Sequence, residues 1–115
     1  MKIPAPGLVE LVESGKAHSW EARELLDELL APYHNRLDAL VLGCTHYPFA
    51  ADTIAQAVGD RVCLLDGSLG TAQQTQRCLL EAGLLENGPG QTIITNSALD
   101  PEYIRLSWQL LTAGR

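Results

Sequence analysis

One run of ten residues constrains this chain more than any other: Leu40-Val41-Leu42-Gly43-Cys44-Thr45-His46-Tyr47-Pro48-Phe49. Residues 38–42 form a short apolar run of the kind that makes a strand buried on both faces. Gly43 ends the run, and Pro48 suits the first turn of a helix, where a missing N–H costs nothing. Cys44, Thr45 and His46 therefore fall in the turn between the C-terminal end of a strand and the start of a helix. In open α/β sheets ligands bind in that crevice, and the free amides of a helix start favour an anion such as a carboxylate. A thiol held there is expected to have a lowered pKa, and a nearby imidazole can exchange protons with it. The bland alternative is that Cys44 is a small buried hydrophobe.

The remaining punctuation places elements on either side. Leu8, Val9, Leu11 and Val12 predict a short helix stopped at Gly15. Ser19 predicts the cap of a second helix, with Glu21 in its first turn. Leu25, Leu26, Leu29, Leu30 and Tyr33 lie on one face of that helix. After Pro48, the spacing of Ala50, Ile54, Ala57 and Val58 predicts a third helix ended by Gly59. Residues 61–65 read as a second buried strand with Cys63 as core packing. Ser68 is the expected cap of a helix over 69–82, with a stripe of Leu69, Ala72, Leu79 and Ala82 and with Cys78 in a structural role. Residues 86–90 read as a loop and 92–95 as a β-branched strand. Asp100 and Pro101 open a last helix, packed through Tyr103, Leu106 and Leu110 while Trp108 points elsewhere. This order predicts an α/β fold, a mainly parallel sheet flanked by helices.

Charge and composition exclude several functions. The chain has 115 residues, a net charge of −6 and only eight Lys and Arg, scattered without a basic patch. Neither nucleic-acid binding nor attraction to an anionic membrane surface is expected. No apolar stretch approaches the roughly 18 residues of a membrane span, and residues 1–6 hold no apolar core of signal-peptide length. The three cysteines have no C-x-x-C spacing, which argues against a disulfide framework or a zinc site. Cys44 and His46 alone cannot complete a metal tetrahedron, and reduced thiols fit the cytoplasm. There is no phosphate-binding glycine motif.

The string L-V-L-G-C-T-H-Y-P resembles the second cysteine motif of the glutamate racemases, cofactor-independent enzymes of the aspartate/glutamate racemase superfamily. Residues 5–15, A-P-G-L-V-E-L-V-E-S-G, are similar to that family's C-P-x-L-V-x-L-V-E-x-G. Leu64-Leu65-Asp66-Gly67-Ser68 and Asp100-Pro101-Glu102-Tyr103-Ile104 are similar to its later strand end and to the opening of its last helix. The resemblance covers nearly the whole chain, but only the C-terminal part of a complete family member. It implies two similar α/β domains with the site between them. Residues 1–60 would carry the second catalytic cysteine, and residues 61–115 would return toward the first domain.

For chemistry, the resemblance implies interconversion of L- and D-glutamate for peptidoglycan synthesis by two thiols on opposite faces of Cα. Cys44 matches the second thiol. His46 matches the histidine that assists it, and Thr45 a group that holds the substrate's carboxylate or amine. The family's A-C-N-T-A and D-S-G-x-G-G motifs do not occur here, so one thiol is expected, together with either self-association or a missing N-terminal half. By itself the chain is expected to be inactive or nearly so. Two other readings compete. One is a non-catalytic fold fragment with residual carboxylate binding. The other is a Cys/His thiol hydrolase, which needs an oriented base and an oxyanion hole and for which Asp66 is the best orienting residue.

Overall fold

The computed structural model describes residues 1–98 and 100–112. The chain runs through helix α1 (Leu8–Glu13), α2 (Trp20–Leu30), a 3₁₀ turn (Ala31–Tyr33), strand β1 (Ala39–Val41), a second 3₁₀ turn (Tyr47–Ala50), α3 (Ala51–Val58), β2 (Cys63–Leu65), α4 (Ser68–Glu81) and α5 (Pro101–Thr112). Strands β1 and β2 pair in parallel, with Ala39 opposite Cys63 and Val41 opposite Leu65. The pair is extended by the Leu42 amide donating to the Leu65 carbonyl at 2.8 Å. The architecture is therefore α/β, helices around a small parallel sheet.

Local signals set most boundaries. The Ser19 hydroxyl accepts from the Ala22 amide at 3.2 Å and starts α2 as a side-chain N-cap. Gly59, at φ +88°, ends α3 while its amide donates to Ala55. Gly15 adopts φ +73°, a left-handed conformation a side chain would strain, and Leu106 of α5 lies 3.8 Å from where its Cβ would be. Asp100 accepts from the Glu102 amide at 2.9 Å at the start of α5.

The core lies between α1, α2, α3 and the inner side of the sheet. Leu8, Val12, Leu26, Leu30, Ala50 and Ile54 are buried together, joined by Leu42. The predicted faces of α2 and α3 are those that pack. Thr53 is the one polar residue among the buried ones described. Its hydroxyl donates to the Ala17 carbonyl at 2.9 Å and so accepts from His18 Nδ1 at 3.2 Å. That pair of bonds ties the α1–α2 turn to α3.

Several expectations fail, most of them because no described residue forms a layer over the outer face of the sheet. Both strands are covered on one side only: Leu40 and Leu64 turn toward the core, whereas Ala39, Val41, Cys63 and Leu65 are exposed. Cys63 is thus a surface thiol and not core packing. Helix α4 begins at Ser68, one residue earlier than expected. Ser68 is its first residue, not its cap, and its amide bonds Asp66 Oδ1 at 2.7 Å. No residue of α4 is buried, so its apolar stripe has nothing to pack on. Residues 92–95 form no strand, since a β-branched run needs a partner strand to pair with. In α5, Leu106 and Leu110 are half-buried while Tyr103 is exposed, as is Trp108. Among the described residues, no helix is long and apolar enough to cross a membrane.

Candidate functional site

The site forms where β1 gives way to the 3₁₀ turn. The Tyr47 amide bonds the Cys44 carbonyl at 3.2 Å and the Phe49 amide bonds the His46 carbonyl at 3.1 Å. Two of the amides expected to greet an anion are therefore spent in the turn itself. This tight winding, with Pro48 inside it, holds Cys44 and His46 on the same side.

Cys44 Sγ lies 3.8 Å from His46 Nδ1, within reach of a weak S–H···N bond, and both side chains are half-buried. The Thr45 hydroxyl sits 3.4 Å from the same nitrogen. On the far side of the ring, His46 Nε2 is 3.0 Å from Glu13 Oε1, at the C-terminal end of α1. A carboxylate only accepts, so Nε2 carries the proton in this pair. In the neutral imidazole Nδ1 is then the acceptor that faces the thiol. Proton transfer from Sγ to Nδ1 leaves a thiolate beside an imidazolium that Glu13 stabilises. The arrangement can take up and return one proton at sulfur.

The structure thus brings together Cys44, Thr45 and His46 as expected from their spacing, and adds Glu13, which sequence reasoning did not single out as functional. Its signal was present in the L-V-E-S-G stretch, but nothing local says that Glu13 reaches a residue 33 positions later. Asp66 does not orient His46: it lies at the end of β2, its carboxylate bonding the Ser68 amide. Cys63 and Cys78 are exposed; Cys63 stands on the outer face of β2, and Cys78 on α4 accepts from Gln74 Nε2 at 3.3 Å.

A thiol at the end of a parallel strand, facing an imidazole that a carboxylate holds from behind, defines an α/β fold equipped for acid–base or nucleophilic work at sulfur. Comparison with known proteins shows what the chain is similar to. The chain is similar to the glutamate racemase of Clostridium perfringens strain SM101, 40% identical over 112 residues that make up 95% of this chain and 43% of the relative. The glutamate racemase of Clostridium botulinum strain Hall is 37% identical over 111 residues, 94% of this chain and 43% of the relative. Among solved structures, the Thermus thermophilus glutamate racemase in complex with β-chloro-D-alanine matches with a TM-score of 0.73 and 38% identity, covering 92% of this chain and 41% of that one. The Francisella tularensis glutamate racemase in complex with D-glutamate matches with the same TM-score at 26% identity, covering 94% and 41%. No protein-family profile matches the chain. The chain is a homologue of the glutamate racemases, an isomerase family. It spans less than half the length of the curated relatives it matches.

Proposed function

We propose that this chain supplies one of the two acid–base thiols of a glutamate racemase, with Cys44 working at one face of the substrate Cα. The observation that carries this reading is the Cys44–His46–Glu13 relay, 3.8 Å from sulfur to Nδ1 and 3.0 Å from Nε2 to the carboxylate. In the forward direction the Cys44 thiolate takes the α-proton, and the C–H electron pair moves into the substrate carboxylate. A group on the opposite face then returns a proton to Cα. In the reverse direction Cys44 is the donor, recharged through His46. Thr45 and its neighbouring backbone amides would hold the carboxylate, an electrostatic contribution that grows as charge builds there. Such chemistry needs no cofactor.

In this reading residues 1–60 carry the thiol turn and residues 61–115 reach toward the other half of the site. The role would be provision of D-glutamate for peptidoglycan in the cytoplasm. The test is exchange of the glutamate Cα hydrogen in deuterated water, followed by NMR for each enantiomer separately. Exchange of one enantiomer that is lost in Cys44→Ala supports the reading. Equal exchange in the wild type and that variant refutes it.

The same triad favours a second reading, nucleophilic thiol hydrolysis, because Glu13 provides the orienting third group that such a site requires. An activated ester would then leave an acyl group on Cys44, visible by mass spectrometry. A racemase thiol with no acyl-enzyme accumulation would not.

A further inference from the structure

The chain has three asparagines, Asn35, Asn87 and Asn96, and the structure holds them differently. Asn35 sits in a left-handed turn at φ +59°, and the amide that follows it, on Arg36, donates to the Tyr33 carbonyl at 3.0 Å. Asn96 is half-buried, and its Oδ1 accepts from the Ala98 amide at 3.0 Å, which ties the carboxamide into a local turn. Asn87 is exposed in the irregular segment after α4. Among the described residues, neither its carboxamide nor the Gly88 amide has a hydrogen-bond partner. A Cβ added at Gly88 would meet nothing within 4 Å, so the backbone there is open from the side as well. Local forces make this segment a loop: Pro89 has no amide to give a strand ladder, and the glycines on either side weaken one. It stays a loop whatever lies against α4.

We propose that Asn87–Gly88 is a site of intramolecular deamidation in the folded chain. The Gly88 nitrogen, its proton taken by solvent base, attacks Asn87 Cγ. The new N–Cγ bond closes a succinimide ring, the Cγ–Nδ2 bond breaks, and Nδ2 leaves as ammonia with a proton from water. A water molecule then opens the ring at either carbonyl. One opening leaves an aspartate at position 87. The other routes the main chain through Cγ and leaves an isoaspartate. Either product replaces a neutral carboxamide by a carboxylate, one further negative charge on a net −6. Glycine permits the attack because no Cβ crowds the nitrogen. After Asn35 and Asn96 the next residues, Arg36 and Ser97, both carry one.

The test is incubation of the whole chain in mildly alkaline buffer made with heavy-oxygen water, followed by isoelectric focusing and peptide mapping by mass spectrometry. The expected product is an acidic species with one heavy oxygen at position 87, as aspartate and isoaspartate together. Asn87→Gln is expected to abolish it. Gly88→Ala is expected to slow it severalfold; the space there is open to a methyl group, and far-UV dichroism checks that the fold is kept. Urea separates the loop from the rest of the fold. Asn87 is expected to react at a similar rate with and without it, whereas Asn96 is expected to react faster once its turn is released. Acidic species that map to Asn35 or Asn96 ahead of Asn87 overturn the proposal, as does a Gly88→Ala chain that reacts as fast as the parent. Aspartate without isoaspartate overturns the cyclic route. A large acceleration of Asn87 in urea overturns the open loop, since the folded chain would then be holding the pair apart.

Discussion

His46 Nε2 and Glu13 Oε1 meet at 3.0 Å across 33 residues of sequence, the end of α1 holding the ring whose other nitrogen faces Cys44. The pair is partly exposed, His46 at 33% and Glu13 at 57%. Exposed ion pairs contribute little to stability, so the value of this contact lies in fixing the tautomer and the ring's direction.

Replacing Glu13 by Gln therefore separates orientation from folding. The amide can present its NH₂ to Nε2 and favour the wrong tautomer. Exchange of the glutamate Cα hydrogen is expected to fall by about tenfold or more, and the pH profile of Cys44 alkylation to shift. The urea midpoint is expected to stay close to that of the parent. Unchanged exchange and alkylation profiles would mean that Glu13 does not act through His46.

At the start of α2 the Glu21 carboxyl is held down to about 2, first by the Ser19 side chain, then by its own backbone amide and by Lys16. A carboxylate lowered in the folded state stabilises the fold above its usual value near 4.5 and loses that contribution as pH falls toward about 2. Glu21→Gln is expected to flatten the acid limb of stability between those values. Acid titrations of urea midpoints for the two proteins make the comparison; identical slopes would count against the contact in solution.

Ser19→Ala removes the cap that accepts from the Ala22 amide. The expected loss is about 1 kcal/mol, read from urea unfolding. Ser19→Asp should restore most of it, because aspartate caps as well as serine.

Leu26 is among the largest side chains that are fully buried, whereas Leu79 on α4 is 37% exposed and on a helix with no buried residue. Leu26→Ala is expected to cost about 2–5 kcal/mol, a large share of what a domain of this size possesses. Leu79→Ala is expected to change stability by less than about 0.5 kcal/mol. Equal losses would mean that α4 packs against something in solution.

Thr53→Val keeps the shape of a buried residue and deletes its hydroxyl. The Ala17 carbonyl and His18 Nδ1 then lose their partner, an expected cost of about 1–3 kcal/mol. Thr53→Ser, which retains the hydroxyl, should be milder. If valine is tolerated as well as serine, the tie between the α1–α2 turn and α3 carries no weight.

What the sequence determined by itself is what short-range forces decide. The Ser19 and Asp100 caps, the stop at Gly59, the buried spacing of Leu26, Leu30, Ile54 and Ala57, and the turn that sets Cys44 beside His46 all depend on hydrogen bonds and periodicity within a few residues. Homology to the racemases was likewise legible in the nine residues around Cys44. The tertiary structure alone decided everything that needs a distant partner. Glu13, not Asp66, stands behind His46 because α1 packs beside the 3₁₀ turn. Apolar runs at 38–42 and 61–65 predicted strands buried on both faces, yet Val41, Cys63 and Leu65 face outward. Residues 92–95 have strand composition and no strand. Hydrophobic pattern states which surface a segment would bury, but burial happens only where another layer arrives to cover it, and that layer is a non-local fact.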